Sequence, residues 1–399
     1  MNSRWIKPVL RGIAIFALLN LGTYYTIVWF KSLAAPSVRT FALWSSIVVL
    51  FLLLVPSRSF RLICAYLLAG LLALTGFEAY ASSGSHEEHA APPTNSLGYY
   101  SSARADVLGF GPALDFVNHS VLERDGRAIY DVKYTIDRSG LRVAPPEAPD
   151  PIGTVLFFGD SFTFGEGVAD TETLPYRLGT ITGGRYRVRN FAFQGYGPHQ
   201  MLSELEHGLV RRLVEPRGKV TAIYQAIPDH VRRSAGLAFY DTHGPRYVLG
   251  GDHRAHFSGH FDDGGFSIFL RKLFVYQRLN NVRTEVGEPE IELLAVVVSQ
   301  SSEILAREYG ADFHVLYWDM PKDPHTAAIA GALSRRGLDV RPMSKILPGY
   351  PARESEYTIA GDGHPNPKAN ALIAEYVARS ILSSSADATT VSDRGASSP

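Results

Sequence analysis

A serine, an imidazole and a carboxylate are the groups needed to attack an ester carbonyl through an acyl-enzyme. This chain carries all three in two short segments that lie far apart. The first is an apolar run, Val155-Leu156-Phe157-Phe158, that ends in Gly159-Asp160-Ser161. In an open α/β sheet, sites form beyond the carboxyl ends of strands. A serine at such an exit starts a turn or helix whose free N–H groups can face a developing oxyanion. The alternative is an ordinary helix N-cap serine, but the Gly-Asp-Ser triplet directly follows the first apolar strand of the domain, which favours the chemical reading. The second segment is Asp362-Gly363-His364-Pro365-Asn366, a Gly/Pro loop ahead of a helical pattern. A serine needs a base, and His364 is the best candidate, with Asp362 placed to accept its other N–H and set the tautomer. The alternative is that Asp362 and Asn366 are turn and capping residues and His364 is an exposed loop histidine.

The elements that must position these residues read as an α/β domain over residues 151–383. Strands are expected at Gly153–Phe158, Tyr186–Phe193, Lys219–Ile227, Glu292–Ser299 and Asp312–Tyr317. Near-continuous apolar strands alternating with helices point to a three-layer, flavodoxin-like fold, a parallel sheet covered by helices on both faces. Leu202, Leu205, Leu209, Val210 and Leu213 fit one face of a single helix. A closing helix is expected over Asn366–Leu382, with Ala369, Leu372, Ile373, Tyr376 and Val377 inward. Residues 106–150 read as a small β extension, because Tyr130–Ile136 alternates apolar with polar before the turn Asp137-Arg138-Ser139-Gly140. Residues 83–105 are small, polar and Pro-rich and read as a linker, and residues 384–399 as a disordered tail.

Taken with these elements, the residues carry a resemblance. The chain resembles the SGNH/GDSL-type hydrolase superfamily over about residues 130–380, in a membrane-anchored bacterial form distantly similar to polysaccharide O-acetyltransferase and acetylesterase domains. The block Phe158-Gly159-Asp160-Ser161-Phe162-Thr163-Phe164-Gly165-Glu166-Gly167-Val168 matches the family's nucleophile block, which implies that Ser161 is the nucleophile. Asp362 and His364 match the family's C-terminal pair. The stretch Asn190–Gln200 matches the second block and implies that the Gly195 N–H joins that of Ser161 in an oxyanion hole. The third block departs from the pattern. Pro228 stands where the family has a donor asparagine, in Ile227-Pro228-Asp229-His230. Proline has no N–H, so the resemblance leaves Gln225, His230 or another residue to supply that donor. Asp160, Gln225, Asp229, His230 and Asp319 are candidates for substrate contact.

In front of this domain stand three apolar stretches, at about residues 13–30, 40–55 and 62–79. Each approaches the roughly 20 residues of a spanning helix. The first also resembles a signal peptide, but two more stretches follow at once. Arg4, Lys7, Arg11, Arg58 and Arg61 fall on one side if three helices cross. The positive-inside rule then puts the N-terminus in the cytoplasm of a bacterial inner membrane and the large domain in the periplasm or outside.

Composition excludes other classes. With 39 basic and 39 acidic residues there is no basic excess for nucleic acid, and one cysteine permits neither an internal disulfide nor a cysteine zinc site. His253, His256 and His260, with Asp252, Asp262 and Asp263, carry zinc-ligand chemistry but lie in a Gly-rich segment that reads as a mobile lid, so no metal and no cofactor is expected. His230, Arg232 and Arg233 offer contacts to an anionic or sugar ligand, or a solvated helix start.

The expected function is a serine-dependent acyl-ester hydrolase of the cell envelope. The alternatives are an O-acyltransferase of envelope polysaccharide using the same serine, and a catalytically silent carbohydrate-binding module. The expected partners are an O-acylated carbohydrate or lipid substrate, the membrane, and an envelope-assembly protein.

Overall fold

The computed structural model describes residues 44–45, 47–49, 57–83, 93–214, 218–238, 240–263 and 286–383. The chain divides into two compact units, residues 1–89 with 264–285, and residues 90–263 with 286–399.

In the first unit, α1 (Arg58–Ser83) contains a stretch, Ser59–Phe77, that is long and apolar enough to cross a membrane. Among the described residues it is the one such helix. Leu62, Ile63, Tyr66, Leu67, Leu72 and Phe77 are exposed along it. The expected first span lies outside the described residues, and so does most of the second. Of the three expected spans, the third is the one that falls within the described residues, and it is a candidate helix.

The second unit opens with a two-residue strand, Thr94–Asn95, paired with β1 (Phe116–Arg124), which pairs antiparallel with β2 (Arg127–Ile136). Residues 94–105 are thus folded rather than linker, and Tyr99 within them is buried. The alternating pattern of β2 accounts for this: Val132, Tyr134 and Ile136 lie on one face and pack in the same core as Tyr99.

The chain then alternates strand and helix: β3 (Gly153–Phe158), α2 (Ser161–Phe164), α3 (Leu174–Ile181), β4 (Tyr186–Asn190), α4 (Pro198–Glu206), β5 (Lys219–Ala226) and α5 (His230–Ser234). A hairpin of β6 (Pro245–Leu249) and β7 (Ala255–His260) follows, then α6 (Glu288–Tyr309), β8 (Asp312–Tyr317), α7 (Thr326–Arg335), β9 (Asp339–Pro342) and α8 (Pro367–Val377). Five strands form a parallel sheet in the order β9-β8-β5-β3-β4. Period-two alternation sends Leu156 and Phe158 to one face, under α4, α6 and α7. It sends Val155 and Phe157 to the other, under α3 and α8. Chain order reverses at β3, between β4 and β5, so the crevice beyond its carboxyl end is the natural place for a ligand.

Three expectations are corrected. Glu292–Ser299 is not a strand but the middle of α6. Its run Leu293-Leu294-Ala295-Val296-Val297-Val298 is apolar on every side, which suits a buried helix as well as a buried strand. The fifth strand of the sheet is instead β9, a four-residue edge strand. The helix expected over Leu202–Leu213 is broken at Gly208, which adopts a left-handed φ of 68° and starts a separate helix, Leu209–Leu213. The Gly251–Gly265 segment, expected as a lid, forms as far as Asp263 the turn and second strand of the β6–β7 hairpin. Tyr247 donates to Glu206 at 2.7 Å and Gln300 bonds both backbone atoms of Ala255, so α4 and α6 hold the hairpin.

Candidate active site

Gly159 ends β3 with φ 145°, a conformation that L side chains rarely adopt. A Cβ there would lie 2.4 Å from Thr163 Oγ1 and 3.0 Å from the Gln225 carbonyl oxygen. Glycine is therefore required for the chain to turn this tightly out of the sheet. Asp160, rather than Ser161, caps α2 by accepting from the Phe162 N–H at 3.0 Å. This leaves the Ser161 hydroxyl free of capping.

His364 arrives on a loop that closes on itself. Ile359 N–H donates to the His364 carbonyl at 2.8 Å, and Gly363 N–H to the Ile359 carbonyl at 2.9 Å. Asn366 caps α8 through the Ala369 N–H at 3.0 Å, and its amide donates to the carbonyls of Glu356 and Thr358. The ring packs against Phe162, 5.3 Å between centroids.

The three side chains form one hydrogen-bonded chain. His364 Nε2 lies 2.8 Å from Ser161 Oγ, and His364 Nδ1 lies 2.6 Å from Asp362 Oδ2. Ser161 is 6% exposed. A fourth group, to which sequence reasoning gave no role, stands beside them: Glu166 Oε2 is 3.6 Å from His364 Nε2. Burial alone would push the imidazole down; the Glu166 and Asp362 carboxylates outweigh it and push it up to about 9. Glu166 stands in the Gly-rich stretch after Ser161, but no periodicity signals that it turns back toward the histidine.

Among the described residues, neither the Ser161 N–H nor the Gly195 N–H has an acceptor. Gly195 has φ 80°, and a Cβ there would lie 2.9 Å from the Tyr240 ring. Pro228 is buried.

The other candidates for substrate contact lie elsewhere. Asp160 is fully buried, with Arg233 Nη1 at 2.8 Å and His230 Nε2 at 3.3 Å from its Oδ2. Burial would raise its carboxyl; Arg233 and His230 outweigh it and hold the group well below the usual carboxylate range. His230 is also fully buried, its Nδ1 2.5 Å from the Tyr224 hydroxyl, and burial holds its ring below the ordinary value against the pull of Asp160. Gln225 is buried beneath the Ser161 turn and accepts from Thr163 Oγ1 at 3.1 Å. These three side chains brace the turn from inside. Asp229 is partly exposed and accepts from Arg233 Nε at 2.8 Å. Asp319 accepts from the Ser344 N–H at 3.0 Å, which ties two loops together. Arg233 also donates to the Tyr196 carbonyl at 2.8 Å, so it links the first and second blocks instead of waiting for a ligand. Arg142, buried, does the same for the loop after Ser161, donating to the carbonyls of Phe164 at 2.8 Å and Val168 at 2.7 Å and to Asp170 at 3.0 Å.

In the histidine-rich hairpin, His256 bonds Asp252 at 2.9 Å and His260 Nδ1 lies 3.6 Å from Asp263. Among the described residues no group of three or more His, Cys, Asp or Glu side chains is placed to hold a metal ion.

No family model and no curated protein matches the chain. Solved structures do. One is a member of the lipolytic protein G-D-S-L family from Veillonella parvula DSM 2008, at 12% identity and TM-score 0.34, covering 58% of this chain and 98% of that one. Another is the psychrotrophic esterase EstA from Pseudoalteromonas sp., inhibited by monoethylphosphonate, at 13% identity and TM-score 0.34, covering 58% and 97%. A third is the lipase Lip_vut3 from goat rumen metagenome, at 13% identity and TM-score 0.32, covering 56% and 95%.

Proposed function

We propose that this protein is a membrane-anchored, serine-dependent acyl-ester hydrolase acting on an O-acylated carbohydrate or lipid of the cell envelope. The observation that carries the reading is the chain from Ser161 Oγ to His364 Nε2 at 2.8 Å and from His364 Nδ1 to Asp362 at 2.6 Å. A silent binding module has no need of that contact. In the proposed reaction Ser161 Oγ bonds to the acyl carbon while its proton passes to Nε2. The tetrahedral intermediate collapses, the bond to the alcohol oxygen breaks, and Nε2 returns the proton to that oxygen. Water then repeats the sequence and releases the acid. Asp362 accepts the Nδ1–H and stabilises the imidazolium. The N–H groups of Ser161 and Gly195 are the proposed oxyanion donors, and with Pro228 in the third block they would work without a side-chain amide.

The test is intact mass of the full chain in detergent after exposure to a fluorophosphonate. A single adduct that is absent from Ser161→Ala supports the reading. Folded wild-type protein that takes no adduct at any pH overturns it.

A further inference from the structure

We propose that Glu166 is a positioning residue for His364, a second carboxylate that faces Nε2 as Asp362 faces Nδ1, and that it sets the pH above which Ser161 is activated. The inference rests on the serine-hydrolase reading and deepens it.

The geometry places Glu166 without slack. Its N–H donates to the Ser161 carbonyl at 2.9 Å, so its backbone is tied to the nucleophile's own. Gly165 and Gly167 on either side have φ 88° and 76°, which folds the loop back over the site. A Cβ at Gly167 would lie 2.5 Å from Ile359 Cδ1 and 3.0 Å from the Tyr130 ring, so glycine lets this loop close on both the histidine loop and β2. Tyr134 accepts the Gly167 N–H at 2.9 Å, and the Tyr130 hydroxyl faces Glu166 Oε1 at 3.3 Å. The carboxylate left over, Oε2, is the one 3.6 Å from Nε2.

The charges around the ring all have the same sign. Glu166 comes from the nucleophile loop, Asp362 from the histidine loop and Asp160 from the turn. From β2 come two phenols, Tyr130 and Tyr134. Burial and then Glu166 push both up, Tyr134 to about 12, so they remain neutral. The buried guanidiniums of this region are engaged elsewhere, Arg142 by Asp170 and Arg233 by Asp160 and Asp229. An anion within about 4–6 Å favours the protonated ring. A protonated Nε2 donates toward Ser161 and cannot take its proton. The base forms only when solution pH rises through the value that these carboxylates set.

The measurement is the fluorophosphonate labelling rate of the full chain in detergent, from about pH 6 to about pH 10. The wild-type rate should rise to a plateau with a midpoint near 9. Glu166→Gln removes the charge and nearly keeps the shape. It should lower the midpoint by about 1 or more, and so speed labelling at neutral pH about tenfold. Glu166→Asp keeps the charge and should keep an alkaline midpoint, which a purely structural role would not predict. An unmoved midpoint in folded Glu166→Gln overturns the proposal. So does a wild-type midpoint in the ordinary imidazole range, and that arm decides the matter if Glu166→Gln does not fold. Absence of any adduct overturns the hydrolase reading as well, which separates the two failures.

Discussion

His364 Nε2 lies 2.8 Å from Ser161 Oγ although the residues are 203 positions apart. Two short loops make the contact. One leaves β3 through Gly159, and the other is closed by its own hydrogen bonds before α8. They meet because α3 and α8 share one face of the sheet, where Leu174 and Leu178 pack in the same core as Ala369, Ile373 and Val377. The amide of Asn370 on α8 adds a bond to the Glu172 carbonyl at 3.0 Å, just before α3.

If Asp362 orients His364, Asp362→Asn should keep the fold and lower the labelling rate by about 10⁴-fold, because the imidazole is then held in the wrong tautomer. Labelling kinetics alongside a far-UV spectrum check this. A loss of less than about tenfold would show that the ring needs no carboxylate at Nδ1.

Arg233→Met should strand the Asp160 carboxylate in the interior and destabilise the domain by about 3–5 kcal/mol. The folded-state value of Asp160 is depressed, so its contribution is fully present above the unfolded carboxylate range and is lost as pH falls through the folded value. In the variant, burial raises that carboxyl instead, and protonation relieves the strain. The gap in melting temperature between the two proteins should therefore narrow toward acid pH. A gap that is pH-independent would mean the loss is one of packing.

Gly159→Ala should cost about 1–3 kcal/mol and abolish labelling together, since its Cβ would meet both Thr163 and the Gln225 backbone. Thermal unfolding and adduct mass on the same sample test it. Unchanged labelling would show that the turn can relax.

If the α1 stretch Ser59–Phe77 crosses a bilayer, the full chain should stay in the membrane pellet through high salt and carbonate and leave it only in detergent. Alkaline phosphatase fused after Pro399 should be active, as an exported reporter is. Release by salt, or an inactive fusion, would contradict the anchored or the outward reading respectively.

Much of the fold was legible because local pattern decides it. Gly153–Phe158 and Asp312–Tyr317 are strands over the residues their apolar runs suggest, and Asn366 and Pro367 mark the start of α8 as capping chemistry requires. The run at Glu292–Ser299 was not legible, because a segment apolar on all sides has no period to read. The edge strand Asp339–Pro342 is too short and too polar to stand out, and it becomes a strand through its pairing with β8. For the site, residue type and order determined by themselves that a serine, a histidine and three carboxylates, Asp160, Glu166 and Asp362, were available. Tertiary structure alone decided where each of them is placed. Asp160, next to the serine, is taken into the interior by Arg233, while Glu166, five positions beyond Ser161, turns back to the imidazole. The difference lies in where buried partners stand in space, which is settled by the packing of β2, α3, α5 and α8 around one turn and not by any spacing along the chain.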